Sequence, residues 1–279
     1  MVYSVHALYH NLESTNDSII KVWYQAQDTL AEHYFTNTSL TATYAKRFAD
    51  LDGRSNTTIS NIQINEAQNY FYLKQDPVDQ IQKVYYRKTL DSEQQLLFDP
   101  SKYGDGTKGV SYLKPSYDGS KLAMGFKADG SFTATVLIYD VRTKTLLKDT
   151  ITYINPDFGG VEWLPDASGF IYLYFPEANK AVAGYKKKSF SVLHKLGDNP
   201  ALRQPIFGGD GALNIPEDHY PKVKIGSSLD VYVIGYKASS GNFYQSFIAT
   251  MKEVMAGKPQ WQPFFNEEDQ IYYNQGELR

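Results

Sequence analysis

A turn phrase that recurs along the chain limits its fold more than any other feature. Residues 115–123 (PSYDGSKLA) and 163–172 (WLPDASGFIY) both place Pro, Asp, Ser and Gly directly before a hydrophobic run, and weaker copies lie at 64–72, 223–232 and 265–273. Tight hairpins favour these residue types, because they tolerate positive φ or form side-chain turns. The copies recur with a period of roughly 50 residues, which is typical of the blades of a β-propeller.

The segments between these turns have the composition of β-strands. They are short, rich in aromatic and β-branched residues, and not separated by helical patterns. The clearest runs predict strands at 70–73, 83–87, 95–98, 121–126, 135–140 and 144–147. One four-stranded sheet cannot bury both of its faces, whereas sheets stacked around an axis cover one another. We therefore expect about four blades, at 57–105, 108–155, 158–212 and 219–265, followed by the first strand of a fifth. The alternative is a β-sandwich whose turns resemble one another by chance.

The beginning of the chain has helical spacing instead. Apolar residues recur at helical intervals between Ile19 and Tyr34, which predicts a helix over 16–35 capped by Thr15 or Asn16. A second, shorter helix is predicted over 39–49. The predicted domains are a helical segment, 1–54, and an incomplete propeller, 55–279.

The composition excludes several kinds of site and partner. The chain has no Cys, which excludes disulfides, thiolate catalysis and cysteine-ligated zinc. Its net charge of −3 gives no basic surface for nucleic acid, and no apolar run is long enough to predict a membrane partner. No cofactor is expected. The first residues lack the pattern of a signal peptide, so we predict a cytoplasmic location, or a periplasmic one if a leader has been removed.

No residue of the chain is predicted to be catalytic. A Ser-His-Asp mechanism needs a serine on a strained strand-to-helix turn, usually within G-x-S-x-G, and the sequence contains no such pentapeptide. Ser131 and Ser227 follow glycine, but their neighbours indicate ordinary turns. No substrate-binding residue is assigned from the sequence.

The histidines do not form a recognisable metal site. His6 and His10 have the i, i+4 spacing of zinc ligands on a helix, but Ala7 occupies the position of the glutamate in H-E-x-x-H. His33 lies on the predicted first helix, and His194 lies in a predicted strand, where a structural role is expected. His219 follows an acidic segment and is expected to be exposed.

Two other groups of residues have a structural interpretation that we prefer. Glu267, Glu268 and Asp269 would suit acid–base chemistry or Ca²⁺, but they lie in a predicted turn between blades and are expected to be solvated. Trp163 and the many tyrosines would suit a ligand site, yet aromatic residues at strand spacing are usually core residues. We therefore predict no metal site.

Five motifs follow one another in the order found in a known family. Trp23 and Gln27 match W-x-x-x-Q-N except at Asp28, and the ranges 83–100, 116–123, 163–172 and 192–197 follow in sequence. These ranges resemble, in turn, a first blade ending in L-L-x-D-P, an S-P-D-G turn, a W-x-x-D-x-x-G-F-x-Y turn and the strand after it. In this order and spacing they resemble the N-terminal β-propeller of the prolyl oligopeptidase family.

This resemblance implies a fold and a function. The fold class is then all-β: about four blades, plus a strand, of a seven-bladed type of propeller, preceded by a short helical segment. The parent protein would be a serine endopeptidase whose propeller gates the access of short proline-containing peptides to an α/β-hydrolase domain in cis. That domain and the last blades are expected after Arg279, and the family's D-P-Y-R-W-L-E-D segment is missing before the first helix. The chain alone should be inactive.

Two other functions remain open from the sequence. The chain would also suit a free-standing propeller that serves as a binding or scaffold module without peptidase activity. A glycan-acting propeller enzyme is the third possibility, and it needs acidic residues that converge on the central channel. In every case an incomplete ring exposes two sheet edges, so we expect edge-to-edge self-association or aggregation of the isolated chain.

Overall fold

The computed structural model describes most of the chain. The described residues are 17–36, 39–53, 57–127, 131–176, 188–209, 213, 215, 219–238 and 245–269. The chain separates into two compact units, Met1–Asn56 and Thr57–Arg279. The strand predicted near 271–273 and the pair His6 and His10 lie outside the described residues.

The first unit contains two helices, α1 (Ser18–Thr36) and α2 (Ser39–Asp52). The Asp17 carboxylate accepts a hydrogen bond from the Ile19 amide at 2.8 Å and therefore caps α1. The predicted caps, Thr15 and Asn16, lie outside the described residues. Of the helices among the described residues, none is both long and apolar enough to cross a membrane.

Within the described residues, the second unit contains four blades, each with four antiparallel strands paired in chain order. The last strand of blade 2 also pairs with the second strand of blade 3 at Ile154 and Tyr174, so these two blades share one eight-stranded sheet. Blade 1 contains β1 (Thr58–Ile64), β2 (Tyr70–Gln75), β3 (Lys83–Arg87) and β4 (Gln95–Phe98). Blade 2 contains β5 (Tyr112–Pro115), β6 (Lys121–Lys127), β7 (Ala134–Asp140) and β8 (Thr145–Ile154). Blade 3 contains β9 (Val161–Trp163), β10 (Gly169–Tyr174), β11 (Phe190–Lys195) and β12 (Gln204–Phe207). Blade 4 contains β13 (Tyr220–Lys224), β14 (Tyr232–Ala238), β15 (Ser246–Thr250) and β16 (Gln262–Phe265).

Each blade is stacked on the next through a separate hydrophobic core. Phe71 and Val84 of blade 1 pack with Leu122 of blade 2. Ile138 of blade 2 packs with Trp163 of blade 3, and a third core joins blade 3 to blade 4. A sandwich has one core between two sheets, whereas here successive sheets share successive cores. The predicted propeller architecture is therefore confirmed, and the sandwich alternative is wrong.

The recurring turns have the geometry that their residue types predict. In blade 2, the Asp118 carboxylate accepts the Ser120 amide at 3.0 Å, and Gly119 between them has a φ of 72°. In blade 3, Asp166 accepts the Ser168 amide at 3.0 Å. The residue between them, Ala167, has a φ of 54°, a left-handed conformation that is uncommon for alanine. The repeat in the sequence is therefore a repeat of one Asx turn between the first two strands of a blade.

The structure differs from the prediction at the end of one strand and in one additional helix. β8 extends to Ile154, although its apolar run suggested an end at Leu147, because Ile151 and Ile154 are buried against blade 3. A short helix, α3 (Met251–Met255), lies between β15 and β16 and was not predicted.

Candidate functional site

A cleft of about 370 Å³ lies where the first strands of three blades meet. These strands bring four charged side chains to its lining: Lys114 from β5, Glu162 from β9, and Lys222 and Lys224 from β13. Phe158 and Gly159, from the connection between blades 2 and 3, also line it. We call this feature the inter-blade cleft. It is a candidate ligand site because it is concave and combines apolar walls with a few polar groups.

The charges of the inter-blade cleft are only partly paired. Glu162 is 6% exposed, and its Oε1 lies 2.7 Å from the Lys224 ammonium. Its other oxygen, Oε2, is buried and has no hydrogen-bond partner among the residues that the structure describes. Burial lowers the pKa of Lys222, and the charge of Lys224 lowers it further, while the charge of Glu162 acts in the opposite direction. Lys222 therefore carries its charge at a cost in solvation.

Two hydrogen bonds fix the strands that carry these charges. The Val161 amide donates to the Tyr112 hydroxyl at 2.9 Å, and the Trp163 indole N–H donates to the Lys114 carbonyl at 2.9 Å. Both bonds join β5 of blade 2 to β9 of blade 3. Gly160 allows the first of them, because a Cβ at this position would lie 2.4 Å from the Tyr112 hydroxyl oxygen. The positions of Lys114 and Glu162 are thus set by inter-blade contacts.

Hydrogen bonds near the recurring turns also connect blades that are not neighbours in the chain. The Ser228 amide and hydroxyl of blade 4 both donate to the Glu66 carboxylate of blade 1, the amide at 3.0 Å. The Tyr117 hydroxyl of blade 2 donates to the Ile225 carbonyl of blade 4 at 3.2 Å. Burial, together with the charges of Glu162 and Glu66, raises the pKa of Tyr117 well above its usual value. We call the side of the ring that carries these turns the turn end.

The two candidate serines form local hydrogen bonds. The Ser131 hydroxyl donates to the Thr133 carbonyl at 2.7 Å. The Ser227 hydroxyl accepts from the Leu229 amide at 3.2 Å, and the side chain is 4% exposed. In both cases the hydroxyl is engaged by a backbone group two residues away.

His194 is structural, whereas His219 differs from expectation. The His194 Nε2 lies 2.7 Å from the Asp149 carboxylate, and both side chains are almost fully buried. This pair joins β11 of blade 3 to β8 of blade 2. His219 was expected to be exposed but is half-buried, because it directly precedes β13. His33 lies on the exposed surface of α1.

The acidic run and Trp163 also have structural positions. Glu268 and Asp269 are exposed, and Asp269 accepts a hydrogen bond from the Asn266 amide at 2.8 Å. Within the described part of the chain, no group of three or more His, Cys, Asp or Glu residues is arranged to hold a metal ion. Trp163 is 1% exposed in the core between blades 2 and 3, as predicted. The inter-blade cleft has one acidic residue among three lysines, so it does not favour a glycan-acting enzyme.

The sequence-based predictions did not include the charged residues of the inter-blade cleft. A signal for them exists, because Glu162 interrupts the apolar run V-E-W, and Lys222 and Lys224 alternate with Pro221 and Val223. Alternation along a strand indicates two faces with different surroundings. The pattern alone does not reveal that these strands meet at one cleft.

Comparison with known proteins agrees with this architecture. The family model for the prolyl oligopeptidase, N-terminal beta-propeller domain, matches residues 8–213. A search of curated proteins found no match. A solved structure from a study of inter-domain dynamics in two prolyl endopeptidases aligns with a TM-score of 0.63 and 19% identity, over 93% of this chain and 36% of that one.

Structures of prolyl oligopeptidase B from Galerina marginata are also similar. The form bound to a 35mer hydrolysis and macrocyclization substrate aligns with a TM-score of 0.68 and 17% identity, over 92% of this chain and 38% of that one. The apo form aligns with a TM-score of 0.59 and 17% identity, over 94% of this chain and 38% of that one. The present chain thus spans well under half the length of these proteins. The likeness to solved structures shows a shared fold, and the family model covers most of the sequence. The chain therefore belongs to the family of prolyl oligopeptidase N-terminal β-propeller domains.

Proposed function

We propose that this chain is the non-catalytic propeller of a serine endopeptidase of the prolyl oligopeptidase type. In this proposal the propeller gates the active site, so that only short proline-containing peptides reach it. Bond cleavage belongs to an α/β-hydrolase domain in the same polypeptide. The family membership supports this function, because a propeller that accompanies a peptidase domain contributes access and binding rather than chemistry.

The size of the inter-blade cleft is the observation that carries the proposal. Its volume of about 370 Å³ is at the lower end of the range for sites that hold small molecules, so it suits a few residues of peptide. A folded protein domain is far larger and would be excluded. Two of the first strands, β5 and β9, would help to set this limit, because the bonds from the Val161 amide to Tyr112 and from the Trp163 indole to Lys114 hold them together.

The turn end supports a single direction of entry. Bonds from Ser228 to Glu66 and from Tyr117 to Ile225 connect blade 4 to blades 1 and 2 there. A peptide would then enter the inter-blade cleft from the opposite side, where the connection over 155–160 lies. Exclusion by size and direction would be the propeller's contribution.

The test uses the complete protein encoded by the gene. Lys114→Cys introduces a thiol at the inter-blade cleft, and this chain contributes no other cysteine. Labelling with a bulky maleimide polymer should lower kcat/KM for a short proline-containing peptide by at least about tenfold, since the adduct blocks the path. The matched control is Lys148→Cys on the exposed side of β8, where the same label should have little effect.

A length series completes the experiment. One proline-containing cleavage sequence is placed in peptides of increasing length and in an exposed loop of a folded protein. We expect kcat/KM to fall steeply once the substrate exceeds a short peptide. Equal cleavage of all substrates, or equal inhibition by both labels, would contradict gating. A complete protein without any peptidase activity would instead favour a free-standing binding or scaffold module.

A further inference from the structure

The inter-blade cleft has an excess of positive charge. Lys114, Lys222 and Lys224 line it, while Glu162 is the single acidic residue in its lining. Lys224 is paired with Glu162 at 2.7 Å, which leaves the other two lysines without that partner. The cleft therefore has two more cationic than anionic side chains when all four are ionised.

Of the three lysines, Lys222 is the one whose charged form a bound anion would stabilise most. Burial is the main influence on its ammonium and lowers its pKa, and no hydrogen bond among the described residues offsets that burial. Its side chain lies against Gly159, where an added Cβ would be 3.6 Å from the ammonium nitrogen. An anion in a partly enclosed site interacts with such a charge more strongly than at an exposed surface.

The unpaired oxygen of Glu162 indicates what else the ligand should bring. Oε2 is buried and has no donor among the described residues. A buried acceptor without a donor costs free energy, so a ligand that carries an N–H group beside its anion is favoured. A peptide terminus has both groups, since its last amide N–H lies next to the carboxylate. Inorganic phosphate can donate an O–H to this oxygen, but its second negative charge would be repelled by Glu162.

We propose that the inter-blade cleft binds the C-terminal carboxylate of a short peptide, with Lys222 and Lys114 as its cationic partners and Glu162 as acceptor for the adjacent amide. This inference rests on the proposed function, in that it names the part of the peptide that the propeller recognises. The gate would then favour peptides that end near the cleft over internal segments of a longer chain.

Binding is tested on the 279-residue chain by calorimetry, so no peptidase activity is needed. The probes are acetyl-Ala-Pro-Ala with a free carboxylate, the same peptide as its carboxamide, and inorganic phosphate. We expect the carboxylate to bind about tenfold more tightly than the carboxamide, and its affinity to fall as salt is added. Equal affinity of the two peptides, or tighter binding of phosphate than of the carboxylate, would overturn the inference.

Variants distinguish recognition from a structural effect. Lys222→Gln should weaken the carboxylate peptide about tenfold, whereas Lys148→Gln, which removes the same charge from the exposed side of β8, should not. Glu162→Gln keeps an oxygen acceptor but removes the negative charge, so it should reduce the preference for the carboxylate peptide over phosphate, and an unchanged preference would contradict the role of Glu162. Equal effects of the two lysine variants would contradict the assignment. Because cleavage is not measured, failure here leaves the size limit of the proposed function to its own test.

Discussion

The hydrogen bond between Tyr112 and Val161 provides a sharp test of how the blades hold the cleft. Tyr112→Phe removes one oxygen and keeps the ring. In the native chain this oxygen accepts the Val161 amide at 2.9 Å, and Val161 is 0% exposed. The substitution therefore leaves a buried N–H group of β9 without a partner.

The expected cost follows from that unpaired group. An unsatisfied buried donor costs about 1–3 kcal/mol, and we take a value of about 2 kcal/mol. For a unit of this size, each kcal/mol corresponds to roughly 2–4 °C in melting temperature, so Tm should fall by about 4–8 °C. The ring itself should stay in place, because it packs in the core between blades 2 and 3.

The assay is thermal and guanidinium unfolding of the variant beside a matched Tyr→Phe control. Tyr85→Phe on β3 is suitable, because Tyr85 is half-buried and its ring stacks on Tyr72 at a centroid distance of 5.9 Å. We expect the control to change the free energy of unfolding by less than about 0.5 kcal/mol. If Tyr112→Phe were as mild as the control, the bond would not hold β9 to β5.

Three further predictions concern other features of the blades. Asp149→Ala removes the acceptor of both His194 and the Gly197 amide, so it should lower the free energy of unfolding by about 3 kcal/mol. Asp198→Ala, at an exposed position, should change it little, and equal losses in the two variants would refute the role of Asp149. Burial raises the pKa of Tyr172 to about 12 and also raises the pKa of Tyr112 and Tyr117. The tyrosines of the unfolded chain ionise near pH 10, so the stability of the folded chain should be intact below about pH 10 and decrease as the pH rises above it. The part of the tyrosinate absorbance that comes from buried tyrosines should appear only with unfolding, and ionisation of all tyrosines while the chain is still folded would contradict this. Ile62 of β1 and Leu229 of blade 4 are 57% and 64% exposed, so the isolated chain should self-associate; light scattering that shows a monomer at micromolar concentration would contradict it.

The blades were predictable because their turns are local. The Asx turns at Asp118 and Asp166 depend on residues next to one another, and hydrophobic runs follow them directly. Two other local signals lie at the starts of helices. Thr250 and Glu253 form a capping box that indicates the start of α3. Asp17, directly before α1, caps that helix.

The inter-blade cleft was not predictable, because its contacts join residues that are far apart in the chain. Glu162 and Lys224 are 62 residues apart, and Tyr112 and Val161 are 49 apart. Their proximity depends on how the first strands of three blades are placed around the ring. The sequence pattern shows that each residue lies on a strand, but strand stacking decides which of them meet.

The central claim is that this propeller serves a serine peptidase. The most direct measurement is to sequence the reading frame beyond Arg279. We expect it to continue through further blades into a hydrolase segment with a G-x-S-x-G serine, followed by the Asp and His of a catalytic triad. A stop codon directly after Arg279 would contradict the account, because the protein would then have a propeller but no peptidase domain to gate.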